Sequence, residues 1–147
     1  MNPAERILLT LWIGGMWTVG YVVVPTLFDM LDSRILAGAI AGRLFTILSF
    51  IGILAAIVLI AGQLLRAPVP WRRNWRVGVL GVMLLVILIG QFGLQPQMAA
   101  LKAAGLADPA NAAAFGRLHG ISSALFLLNS LLGLVLVIFG LGGRGRD

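Results

Sequence analysis

The sequence predicts an all-α fold, a four-helix transmembrane bundle forming one domain over residues 1–147. Three observations predict it. Only 11% of the residues are charged and 60% are hydrophobic, with a mean hydropathy of +1.02. A soluble domain carries about 25% charge, so this surface is not built for water, and the same apolar composition excludes a disordered chain. The charges are also gathered into short stretches that separate four long uncharged runs. Finally, backbone groups in hydrocarbon must pair internally, which makes each run helical.

The first run, Ile7 to Phe28, lies between Arg6 and Asp29. It reads as a retained span, because Pro25-Thr26-Leu27-Phe28 follows Val24 where a signal peptide would place a small-x-small cleavage site. The second run extends from Leu44 to Leu65, the third from Val77 to Leu101 and the fourth from Leu118 to Gly143. A helix crosses the hydrocarbon with about 20 residues, and even the shortest of these runs exceeds that. The expected helices are 6–28, 36–65, 76–100 and 110–141. The fourth begins ahead of its apolar run because Asp108-Pro109 is an N-cap followed by proline at the first helical position.

Orientation follows from the basic residues. The connection from Arg66 to Arg76 contains four arginines and no acid, with Trp71 and Trp75 suited to the headgroup level. The positive-inside rule places it in the cytoplasm. Four spans then put both termini there, in agreement with Arg6, Arg144 and Arg146. The net charge of +6 is accounted for by orientation and anionic headgroups, so no nucleic-acid partner is expected. The partners expected are membrane lipids, a second copy, or other membrane proteins.

An internal repeat is visible. Gly42-Arg43-Leu44-Phe45-Thr46-Ile47-Leu48-Ser49 and Gly116-Arg117-Leu118-His119-Gly120-Ile121-Ser122-Ser123 agree at Gly, Arg, Leu, Ile and Ser. Pro25 and Pro96 stand near the outer ends of the first and third runs, at nearly the same offset as the two arginines. Either a helical hairpin has been duplicated, about an axis along the membrane normal, or leucine-rich segments coincide by chance. His119 stands where the first copy has Phe45, so the repeat breaks at the chain's only histidine.

The candidate site residues lie on the outer half. Arg43 and Arg117 either snorkel to headgroups or turn inward to hold an anionic group; Asp29 or Asp32 could bridge to one of them. His119 reads as an interhelical hydrogen-bond donor, a metal or haem ligand, or a proton carrier. Gln91, Gln95 and Met98 share a helical face at three- and four-residue spacing, the glutamines as orienting groups and Met98 as a soft ligand for copper(I) beside His119. Packing alone also explains the methionines, and interhelical hydrogen bonding the glutamines. Gly38-x-x-x-Gly42 and Gly116-x-x-x-Gly120 are small-residue contact motifs, within a chain or between chains. With no cysteine there is no thiolate metal site, iron–sulfur cluster or cysteine nucleophile. No catalytic constellation is visible, and the chain does not read as an enzyme.

The strings Leu11-Trp12-Ile13-Gly14-Gly15-Met16, Val24-Pro25-Thr26-Leu27-Phe28, Ala41-Gly42-Arg43-Leu44-Phe45, Gly93-Leu94-Gln95-Pro96-Gln97-Met98 and Phe115-Gly116-Arg117-Leu118-His119-Gly120 run through nearly the whole chain. Together they resemble a bacterial membrane family of unknown function. That family is similar to the eukaryotic transmembrane protein 205 and, more distantly, to copper-resistance D-type membrane proteins. The resemblance implies a four-helix protein of the bacterial inner membrane and points to metal or drug tolerance. The leading expectation is an outer-half site that binds or moves a small ligand or a metal such as copper. The alternatives are a non-catalytic scaffold and a haem protein with Met98 or another subunit as second ligand.

Overall fold

The computed structural model describes residues 1–66 and 74–140. They form helices α1 (Pro3–Thr18), α2 (Val24–Met30), α3 (Arg34–Arg66), α4 (Trp75–Leu88), α5 (Gln95–Ala104) and α6 (Pro109–Gly140), with no strand among the described residues. Helices α1 and α2 are joined by a π turn, Val19–Val23, and α4 and α5 by another, Ile89–Leu94. The result is four continuous spans, Pro3–Met30, Arg34–Leu65, Trp75–Ala104 and Pro109–Gly140, each long and apolar enough to cross a membrane. The architecture is that of a multi-pass membrane protein. Trp71, Arg72 and Arg73 of the basic connection, and Arg144 and Arg146 of the tail, lie outside the described residues.

The ends of the helices are set locally. Asn2 caps α1 in a reciprocal box: its Oδ1 accepts from Glu5 N at 2.7 Å, and Glu5 Oε2 accepts from Asn2 N at 3.2 Å, with Pro3 at the first position. Ser33 Oγ accepts from Leu36 N at 3.2 Å at the start of α3. Asp108 Oδ1 accepts from Ala110 N at 2.8 Å at the start of α6. Helix α5 stops at Gly105, whose φ of 98° is a conformation that glycine adopts without steric cost.

The spans are ordered around the bundle as first, second, third and fourth, with the first closing against the fourth. Two halves differ. The half nearest Pro3, Arg66, Trp75 and Gly140, here the terminal half, holds the core: Leu9, Trp12, Ile13, Met16, Ala55, Ala56, Leu59, Leu80, Met83 and Leu136. Small residues bring its backbones together. A Cβ on Gly52 would lie 2.9 Å from both Trp12 Nε1 and Ile87 Cδ1, and one on Gly133 would lie 2.6 Å from Ile13 Cδ1. In lipid, this close approach takes the place of the hydrophobic driving force. The outward residues are large and apolar, among them Leu11, Ile35, Leu54, Leu65 and Phe139.

In the far half, nearest Met30, Arg34, Ala104 and Pro109, α2 packs on α3 and α5 on α6, with little contact between the two pairs. Aromatic rings mark the border: Trp17–Tyr21, Tyr21–Phe126 and Phe45–Phe126 have centroids 5.2, 5.7 and 5.2 Å apart, with Phe126 against Gly20.

The π turns lie at this border and match pair for pair. Val24 N donates to Val19 O, and Gln95 N donates to Gly90 O, each reaching the carbonyl five positions back. Pro25 and Pro96 follow directly. Proline lacks an N–H, and its ring collides with the carbonyl four residues earlier; widening the preceding turn relieves both. The next residue then caps a freed carbonyl: Thr26 Oγ1 donates to Val22 O at 2.7 Å and Gln97 Nε2 to Gly93 O at 2.8 Å. This is the correspondence that a duplicated hairpin would produce.

Candidate functional site

Most span hydroxyls are satisfied on their own helix. Thr10, Thr18, Thr46, Ser49 and Ser123 each donate to the carbonyl four residues back at 2.8–3.0 Å, as lipid-facing polar groups must. The groups of interest are those not settled in this way.

An open cleft lies in the far half, between α5 and α6. It has a volume of about 570 Å³ and is lined by Gln97, Ala100, Leu101, Ala114, Arg117, Leu118 and Ile121. Its walls are mostly aliphatic, and Arg117 is its only charged lining residue. Beside it, Phe115 carries His119 stacked at 5.9 Å and 10°, and Lys102 Nζ 5.3 Å from its ring centroid. Arg117 is exposed and has no hydrogen-bond or ion-pair partner among the described residues.

Depth explains the arginines. At 1.5 Å per residue a 32-residue span is about 48 Å long. Centred on a hydrocarbon core of about 30 Å, it extends about 9 Å past each edge. Arg117 stands on the third turn of α6 and Arg43 on the third turn of α3, which is about 12–14 Å along the helix. Both Cα atoms therefore sit just inside the hydrocarbon edge, within reach of headgroups for a long side chain.

The site residues expected from the sequence do not converge on one pocket. Arg117 lines the cleft. Arg43 is exposed on the other hairpin and unpaired, with Asp29 and Asp32 also exposed and neither bonded to an arginine among the described residues. His119 is exposed and held only by its ring stack. Met98 is buried at 6% exposure. Gln91 and Gln95 are half-buried, and the Gln91 Oε1 atom is buried without a partner. The π turn accounts for part of this, since the wider step between Gly90 and Gln95 breaks the α spacing that would align Gln91 with Gln95. Gln97, on the cleft wall, is the glutamine that shares a lining with Arg117. Among the described residues, no group of three or more His, Cys, Asp or Glu could hold a metal ion.

A second polar cluster lies at the opposite end and is buried. Glu5, 7% exposed, accepts from Gln63 Nε2 at 3.0 Å, and Gln63 Oε1 accepts from Asn74 Nδ2 at 3.5 Å. Glu5 Oε1 lies against Gly62, where any side chain would collide with it. A small recess of about 180 Å³ opens there, lined by Asn2, Ala4, Glu5, Leu8, Val58 and Gly62. The cluster ties the start of the first span to the end of the second and the start of the third.

Deeper in the terminal half, Asn129 Nδ2 lies 3.9 Å from Met16 Sδ, and Trp17 Nε1 donates to Ser130 O at 3.4 Å. Asn129 Oδ1 and Ser130 Oγ are buried without partners among the described residues.

Residues 7–107 match a family described as a domain of unknown function, DUF4149. The chain belongs to this family. No curated protein and no solved structure matches it. The DUF4149 match takes in the first three spans and the turn after them, so it contains the α5 wall of the cleft, while Arg117 and His119 lie beyond it.

Three features of this DUF4149 chain are not legible in its sequence. Glu5 reads as half of a neutral Glu-Arg pair, and only its capping-box spacing to Asn2 hints at a fixed geometry. Gln63 sits near the end of an apolar run, where a lone amide is an expected packing partner. The contact glycines are Gly20, Gly52, Gly62 and Gly133, whereas Gly42, Gly116 and Gly120 have nothing within 4 Å of the place a Cβ would take.

Proposed function

We propose that this protein binds a small anionic ligand from the membrane in the cleft between α5 and α6, with Arg117 as the fixed cation and Gln97 at the aliphatic wall. The observation that carries it is an unpaired guanidinium at the rim of an otherwise aliphatic cleft. An unpaired arginine near hydrocarbon favours an oxyanion through charge-assisted, bidentate hydrogen bonds. The basic connection and the positive-inside rule orient the far half away from the cytoplasm, in a bacterial inner membrane. Arg43, at the same depth but without a cleft, serves as the snorkelling counterpart.

Copper or haem handling has less to stand on. His119 and Met98 differ in exposure, and His119 stacks on Phe115 instead of pointing to a second ligand. A scaffold role is favoured by one observation, the open Gly116 and Gly120 on α6, which leave room for another helix to approach.

The test uses dodecyl phosphate added to the purified protein in an uncharged detergent, with binding followed by phosphorus NMR. Arg117→Gln is expected to weaken binding about tenfold, the loss of one charge-assisted hydrogen bond, while Arg43→Gln leaves it unchanged. Equal effects of the two substitutions would reduce Arg117 to a headgroup anchor.

A further inference from the structure

Resting on the reading of the cleft as an anion site, we infer that its occupant is an anionic phospholipid of the outward-facing leaflet, held with its phosphate at Arg117 and one acyl chain along the α5–α6 wall. Three features of the cleft point to this class over a water-soluble anion.

The first is composition. Ala100, Leu101, Ala114, Leu118 and Ile121 supply an aliphatic wall with Gln97 as the other polar member, and the Gln97 amide is already committed to Gly93 O at 2.8 Å. Within the lining a soluble anion would meet Arg117 alone and would give up hydration against five aliphatic side chains, whereas an acyl chain matches them. The second is extent. From Arg117 through Leu118 to Ile121 the wall runs about 6 Å along the helix axis toward the bilayer centre, the direction an acyl chain takes from its phosphate. The small side chains at Ala100 and Ala114, toward the outer end of the cleft, leave room for the headgroup to reach Arg117.

The third is charge. Lys102, the residue after Leu101 on the wall, stands over Phe115 two positions from Arg117 and has no acidic partner among the described residues. Two cations at one rim favour a net-negative headgroup over a zwitterionic one, because a choline group would meet Lys102 as a like charge. Arg43 is not part of this cleft lining, and its repeat partner for the stacked His119 is Phe45, which packs edge-on against Phe126.

Native mass spectrometry of the delipidated full chain separates the outcomes. Phosphatidylglycerol, phosphatidylcholine and glycerol phosphate are added back singly. One retained phosphatidylglycerol is expected, at least tenfold preferred over phosphatidylcholine, with glycerol phosphate not retained. Arg117→Gln should abolish the preference, Lys102→Gln should reduce it severalfold, and Arg43→Gln should leave it intact. Ala114→Phe, which fills the wall and keeps both cations, should lose the lipid. Retention of glycerol phosphate as well as phosphatidylglycerol, with Ala114→Phe harmless, overturns the lipid assignment and leaves the anion site standing. Phosphatidylglycerol preference that survives Arg117→Gln overturns both.

Discussion

The two halves of this bundle are made from the same kinds of residue and packed by opposite rules. In the terminal half, particular glycines stand against large side chains, so Trp12 meets Gly52 and Ile13 meets Gly133. In the far half, Gly42, Gly116 and Gly120 face open space and the two hairpins draw apart. The comparison teaches that in lipid, where aliphatic burial has little driving force of its own, complementarity of shape decides what is closed and what stays open.

The largest expected effect breaks the packed half. Gly52→Val drives a branched side chain into Trp12 and Ile87, both parts of the packed layer, and should lower stability in detergent by about 3 kcal/mol, the upper range of overpacking, read as a fall in thermal midpoint. Leu59→Ala, at a position with 0% exposure, should cost about 2 kcal/mol; in lipid the cavity remains, but little is lost by transfer.

Glu5→Ala removes the acceptor shared by Asn2 N and Gln63 Nε2 and should cost about 1–2 kcal/mol, with faster hydrogen exchange at the first turn of α1. A midpoint unchanged by that substitution would show that the cluster at this end holds nothing together. The smallest effect sharpens the contrast: Gly116→Ala on the open face should be neutral, or gain up to about 1 kcal/mol from helix propensity. A loss there instead would mean that another helix occupies this face.

The four spans were legible because hydrocarbon forbids charge over a fixed length, and the gaps from Arg6 to Asp29 and onward state that length directly. The prolines were legible as interruptions, but the π turns before them were not, because either a kink or a widened turn accommodates the same residue. Glycine spacing marked Gly116 and Gly120 as contact positions within or between chains, yet spacing says nothing about which neighbour is opposite, and within this chain Gly52 and Gly133 make the close contacts. Arg117 was legible as a candidate anion holder. The cleft beside it was not, because its wall is ordinary alanine, leucine and isoleucine, distinguished only by where α5 meets α6. Burial of Glu5 depended on Gly62, a full span away along the chain.

The widened turns also act as a buffer on azimuth. A π turn carries one residue more than an α turn, so the extra residue is taken up within that turn and the helix on either side keeps its facing. Deleting one residue within Val19–Val23 would therefore return the turn to α spacing with Trp12 and Met16 seated and Pro25 to Met30 still facing as they do, while setting the Pro25 ring against the carbonyl four residues before it. The first and third spans thus each accommodate a proline by one added residue, without rotating what either end presents.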